Sequence, residues 1–140
     1  MRAMLTNLQA PLALAARILI VLLFLPEGIS KIGSFSGVVG YIKAAGLPFP
    51  ALGAVIAIAV EAGGSLALLL GLQTRWVALV MAMFCVATAI FFHNFWASPE
   101  DQAMVQHIMF FKNMAIAGGL LMLTAFGAGA WSVDARRGAD

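Results

Sequence analysis

Long apolar runs alternate with short polar breaks along the chain, and the breaks divide it into four segments, at about residues 11–32, 49–72, 76–96 and 102–126. A helix rises about 1.5 Å per residue, so the second run, FPALGAVIAIAVEAGGSLALLLGL, covers about 36 Å. That is enough to cross a bilayer core of roughly 30 Å. The pattern therefore predicts an all-α integral membrane protein, a four-transmembrane-helix bundle. Pro11 suits a helix start, which leaves residues 1–10 as a tail. The glycine-rich stretch 33–48 reads as a loop carrying a short interfacial helix, SGVVGYIKAAG, with Tyr41 and Lys43 at the headgroups. Gly71 to Arg75 reads as a tight turn and ASPED, residues 97–101, as an acidic loop.

Composition narrows the class further. Hydrophobic residues make up 63% and charged residues 10% of the 140 residues, and mean hydropathy is +1.00. A soluble domain carries about 25% charged residues, so this chain has too little polar surface to coat a globule. The lipid bilayer is its first partner. Four crossings use the whole length, which makes 1–140 a single membrane domain. The formal charge is +2 with scattered basic residues, so no nucleic-acid surface is expected. Cys85 is the only cysteine; it reads as a small packing residue and excludes an intrachain disulfide. The run 18–25 is followed by Pro26 and Glu27, not by a small-residue cleavage site, and reads as a retained anchor.

Basic residues set the expected orientation. Arg2, Arg75, Arg136 and Arg137 fall at one end of the spans, and Lys31 and Lys43 at the other. The excess places both termini in the cytoplasm. Trp76 and Trp131 then belong to the cytoplasmic interface and Trp96 to the outer one.

Charges inside the spans are costly unless they pair or face water. Glu61 lies mid-run in the second span and Arg17 lies in the first. Counting rise from the expected ends puts them about 15 Å and 9 Å deep, within reach of an arginine fork. An Arg17–Glu61 pair is expected. Glu27 and Lys31 are spaced for an i,i+4 pair, and Lys112 sits inside the fourth span. Together they suggest one charged seam of Arg17, Glu61, Lys112 and Glu27. Such a seam either fixes helix register or forms a ligand or proton site.

His93 and His107 flank the loop between spans three and four. Two imidazoles could ligate haem or a metal. With no third ligand, no HxxxH and no CxxCH, interfacial hydrogen bonding is the expectation and no metal is assigned. The run 91–96, FFHNFW, reads first as an aromatic belt. Its alternative is a quinone headgroup pocket in which His93 or Lys112 donates to a carbonyl; Lys31, His107 and Asn113 are further candidate contacts. No phosphate loop, serine nucleophile elbow, HExxH or dinucleotide fingerprint is present.

These residues carry a family resemblance. RILIVLLFL from Arg17, followed by GISK from Gly28 to Lys31, resembles the first span of the DoxX family. EAGGS from Glu61 with LGLQTR ending at Arg75 is similar to its second span and turn. FKN around Lys112 with GGL from Gly118 resembles its fourth span, and WSVD from Trp131 the tail of bacterial members. Pro26-Glu27 departs from the pattern, since many members carry small uncharged residues there. The resemblance implies a multi-pass protein of the bacterial inner (plasma) membrane. It also points to a role as the small membrane subunit of a thiosulfate:quinone oxidoreductase, or as a membrane partner in thiol and oxidative-stress systems, acting with a redox partner protein; a homo-oligomer is expected if the four spans serve as a transporter. No cofactor motif lies within the chain, which fits a subunit that faces quinone better than a self-sufficient enzyme. The rival expectations are a small carrier or proton-linked permeation protein using the charged seam, and a membrane scaffold without chemistry.

Overall fold

The computed structural model describes residues 2–138, with side chains described from Leu8 onward. Helix α1 spans Arg2–Gly33 and α2 spans Phe35–Ala44. The second crossing is built in three pieces: α3, Pro50–Ile58; a π-helical segment, Ala59–Gly63; and α4, Gly64–Leu70. Helix α5 spans Thr74–Phe92, a 3-10 turn covers Phe95–Ala97, α6 spans Glu100–Phe126 and α7 spans Val133–Arg136. Four helical stretches are long and apolar enough to cross a membrane: Leu8–Gly33, Pro50–Leu70, Thr74–Ala97 and Glu100–Phe126.

Local sequence explains the starts. Pro50 sits in the first turn of α3, where its missing N–H costs nothing. Glu100 and Asp101 follow Pro99 at the start of α6, where negative charge meets the positive end of the helix dipole. Pro11 does not start α1, which already runs from Arg2; the side chain of Arg2 lies outside the described residues. Both Pro11 and Pro26 are inside the helix. A short helix in 33–48 is present as α2, and Tyr41 on it is more than half exposed.

Helix α1 packs along α3, the π segment and α4, while α5 and α6 form a closely paired antiparallel hairpin. The core lies between these two pairs, with Phe24 from α1, Leu68 from α4, Met81 and Cys85 from α5, and Leu120 from α6. Outside it, large apolar side chains such as Leu19, Leu22, Met83, Leu121 and Met122 point outward, as lipid contact requires. Small residues in the second crossing serve two partners. A Cβ on Gly64 would meet the Met81 sulfur on α5 at 2.9 Å, while one on Gly53 would touch Ile42 on α2 at 3.3 Å.

The C-terminal tail is tied down by a polar clasp at the turn between α4 and α5. Gly71 is left-handed at φ +65 and completes a helix C-cap, with Leu72 N–H donating to the Ala67 carbonyl and Gly71 N–H to that of Leu68. Arg17, fully buried, donates from Nη1 to the carbonyls of Leu68 (3.1 Å) and Leu69 (3.2 Å) and from Nη2 to that of Trp131. The cation thus satisfies carbonyls at the negative end of α4. The tail folds back so that both Asp134 oxygens accept from the N–H groups of Gln73 and Thr74, each at 2.8 Å, capping α5 from about sixty residues away. Asp134 N–H in turn donates to the Gly71 carbonyl at 2.9 Å. Arg75 does for α6 what Arg17 does for α4, donating to the carbonyls of Thr124 and Ala125.

Burial alone would raise the Asp134 carboxyl. The two backbone N–H donors and the nearby Arg137 charge outweigh that and hold it below the ordinary carboxylate value.

Candidate functional site

The second cluster of charges lies in the opposite half of the bundle, and one glycine positions it. A Cβ on Gly28 would fall 2.5 Å from the Ala62 backbone nitrogen, so α1 and the π segment touch backbone to backbone there. A π turn adds one residue to the helical repeat and rotates the facing of the residues after it. Here Glu61 sits inside that turn, 7% exposed, on the face that meets α1. Lys31 comes three residues after Gly28 on the same helix face. Its Nζ lies 2.8 Å from Glu61 Oε2 and 3.4 Å from Glu27 Oε2. The Glu61 side chain is 10% exposed and that of Glu27 is 62% exposed. Lys31 therefore joins an interior carboxylate to an outward one.

This corrects the expected Arg17–Glu61 pair: the ion-pair partner of Glu61 is Lys31. Arg17 lies level with Leu68 and Leu69, close to the Gly71 turn, instead of well inside it. Two features absent from a count of helical rise cause the error. Helix α1 begins nine residues before Pro11, and the tail folds over the turn, burying that end. The single seam thus resolves into two sites, Arg17 with the clasp and Glu61 with Lys31 and Glu27.

Beside the Lys31–Glu61 pair is a cavity of about 390 Å³. Phe24 from α1, Ile56 and Ala57 from α3, and Phe84, Phe91 and Phe92 from α5 supply most of its apolar wall. Its polar groups are Glu27, Lys31, Glu61, Thr88, His93, Lys112 and Asn113. Of the charged, histidine and asparagine candidates singled out from the sequence, only Arg17 and His107 are outside it. Tyr41 and Ile42 of α2 cover one side, and the Tyr41 ring stacks on Phe92 with centroids 5.2 Å apart. Thr88 donates to the Phe84 and Cys85 carbonyls, at 2.9 and 3.1 Å, which leaves its oxygen free to accept. Lys112 has a weak partner, the Met109 sulfur at 3.1 Å.

The two histidines do not face each other. His93 Nδ1 pairs with Gln106 Oε1 at 2.9 Å. His107 lies among the rings of Phe95 and Phe111, 4.8 Å from each. No cluster of three metal-ligating side chains occurs among the described residues. Thr88 was not legible as a cavity residue, since a lone threonine in an apolar run gives no signal, and neither was the stacking of Tyr41 on Phe92 at the cavity wall. Asp134 had no assigned role either, although the acid two residues after Ser132 marks the short helix that the Ser132 hydroxyl caps.

Comparison with known proteins adds a family and two near relatives. The DoxX family model matches residues 12–94. The match takes in Arg17, Glu27, Lys31, Glu61 and His93, and ends before Lys112. The chain is 38% identical over 125 residues to the inner membrane protein YphA of Escherichia coli (strain K12), covering 89% of each chain. It is 42% identical over 121 residues to the inner membrane protein YqjF of the same organism, covering 86% of this chain and 88% of that one. No solved structure matches it.

Proposed function

The chain belongs to the DoxX family, and from that footing we propose that it is a quinone-facing inner-membrane subunit of a redox system, acting with a partner protein that exchanges electrons with the bound quinone. The observation that carries the reading is the cavity beside Lys31 and Glu61. It is mainly apolar and aromatic, with a few polar groups that converge, the usual make-up of a small-molecule site. A quinone ring is flat and apolar with two carbonyl oxygens. Phe84, Phe91 and Phe92 offer surfaces for the ring, and the donors are Lys31, Lys112 and Asn113, while the proton of His93 is engaged by Gln106. Lys31 donates one N–H to Glu27 and pairs its charge with Glu61, and an ammonium carries three donors. A quinone supplies the electron-carrying chemistry when bound; the chain's residues hold it, shield it from water and keep a carboxylate–ammonium pair next to it.

The test is direct. The protein is purified in mild detergent, its lipids are extracted and analysed, and it is titrated with a ubiquinone bearing one isoprene unit. Copurified quinone, and binding that Lys31→Met weakens about tenfold or more, supports the reading. Absence of both removes it.

One observation favours a second reading, proton-linked permeation: Lys31 bridges buried Glu61 to exposed Glu27. Proton or solute flux in proteoliposomes that Glu61→Gln abolishes, in protein that binds no quinone, would select it. A structural partner alone, with neither flux nor quinone, selects a scaffold.

A further inference from the structure

We infer that the cavity continues into a tail groove on the lipid face of the α5–α6 hairpin, so that the ligand is a long-chain prenylquinone and not merely its headgroup. The inference rests on the quinone-facing reading above. The groove has a volume of about 400 Å³. Its floor is small, with Ala82 and Ala117, and its walls are Met83, Val86 and Ile90 of α5 and Leu121 of α6. It is almost wholly apolar. Ala87 and Phe91 line both the cavity and the groove, so the two adjoin at that point.

Helix α5 runs from Thr74 at the clasp end to Phe92 beside the cavity. From Phe91 back to Ala82 is about 14 Å of helix, so the groove leads from the polar cavity toward the middle of the span. A head seated near one end with a chain running toward the bilayer centre is the arrangement an amphiphile adopts in lipid. Length accommodates more than one isoprene unit. Charge selects the class of amphiphile. Lys31 is matched by Glu27 and Glu61, which leaves Lys112 as a lone cation at the cavity, short of the cluster of cations that suits a phospholipid phosphate. A neutral dicarbonyl head fits better.

Binding energy from the groove is modest, because a tail leaving lipid for the groove gains packing and no hydrophobic transfer. The informative readout is therefore position. A ubiquinone with a diazirine on its prenyl tail is added to the protein in lipid nanodiscs, photolysed, and the labelled peptides are mapped by mass spectrometry. The expected result is labelling on Met83, Val86, Ile90 and Leu121 that the one-isoprene ubiquinone suppresses, since both share one headgroup site. In Val86→Trp, whose side chain is partly exposed and fills the groove, the label at these residues drops about fivefold or more, while one-isoprene ubiquinone binds as in the unaltered protein. Labelling spread over all lipid-facing helices, or labelling at the groove that the short quinone does not suppress, overturns the inference and leaves the headgroup reading standing. Groove labelling that added phospholipid suppresses and short quinone does not makes this an acyl-chain site, which also overturns it. If the one-isoprene quinone does not bind at all, the parent reading fails and the inference with it.

Discussion

Lys31 and Glu61 meet at 2.8 Å on neighbouring helices because Gly28 lets α1 rest on the backbone of Ala62. Two residue choices, a missing Cβ and a π turn, thus create a charge pair that neither helix specifies alone.

Removing one partner of that pair leaves a buried charge without compensation. Lys31→Met, which strands Glu61, is expected to lower stability by about 3 kcal/mol. Glu61→Gln costs less, since Glu27 still engages Lys31. Lys31→Met combined with Glu61→Leu recovers most of the loss. Thermal unfolding in detergent measures all three. If the double variant is as unstable as Lys31→Met alone, the pair is not what sets the effect.

Glycines in the spans separate sharply by contact. Gly28→Ala puts a methyl into the Ala62 backbone and is expected to cost about 1–3 kcal/mol, together with weakened ligand binding at the cavity. Gly118→Ala meets nothing within 4 Å and is expected to be neutral or to stabilise by up to about 1 kcal/mol through helix propensity. Equal destabilisation by both would contradict the close approach of α1 and the π segment.

Gly71 carries two demands at once. Its φ is +65, and a Cβ there would overlap Ser132 and Arg17. Gly71→Ala should lose about 2 kcal/mol or more and free the C-terminal segment. Limited proteolysis after Gly127, faster in the variant than in the unaltered chain, is the readout.

The Asp134 cap has a defined pH dependence. Its folded value lies below the ordinary one. Its stabilisation is therefore fully present above about pH 4 and is lost as pH falls through the depressed value. Asp134→Asn keeps one acceptor and should cost about 1 kcal/mol at pH 7. Melting curves across roughly pH 2–7 should show a shallower acid limb in the variant; an unchanged limb would mean that the carboxylate charge does not set it.

Cys85 is 1% exposed in the core, so a maleimide should label it only after unfolding. Rapid labelling of the folded protein in detergent would show that the core between the two helix pairs is open.

Four crossings, the short helix before the second, and buried charges needing partners were all legible in the order of residues. These are local matters. Apolar run length is set against bilayer thickness, and a charge in such a run is costly wherever the chain goes. Which charges meet was settled only by the packing of the helices. Depth counted from expected helix ends paired Glu61 with Arg17, but α1 starts earlier, the second crossing contains a π turn, and the tail from Trp131 to Asp134 folds back over Gly71. Each of these shifts or rotates a side chain, or brings together residues far apart in sequence. Hydrophobic periodicity carries no record of either, because a bilayer rewards apolar length without regard to which neighbour a helix face meets.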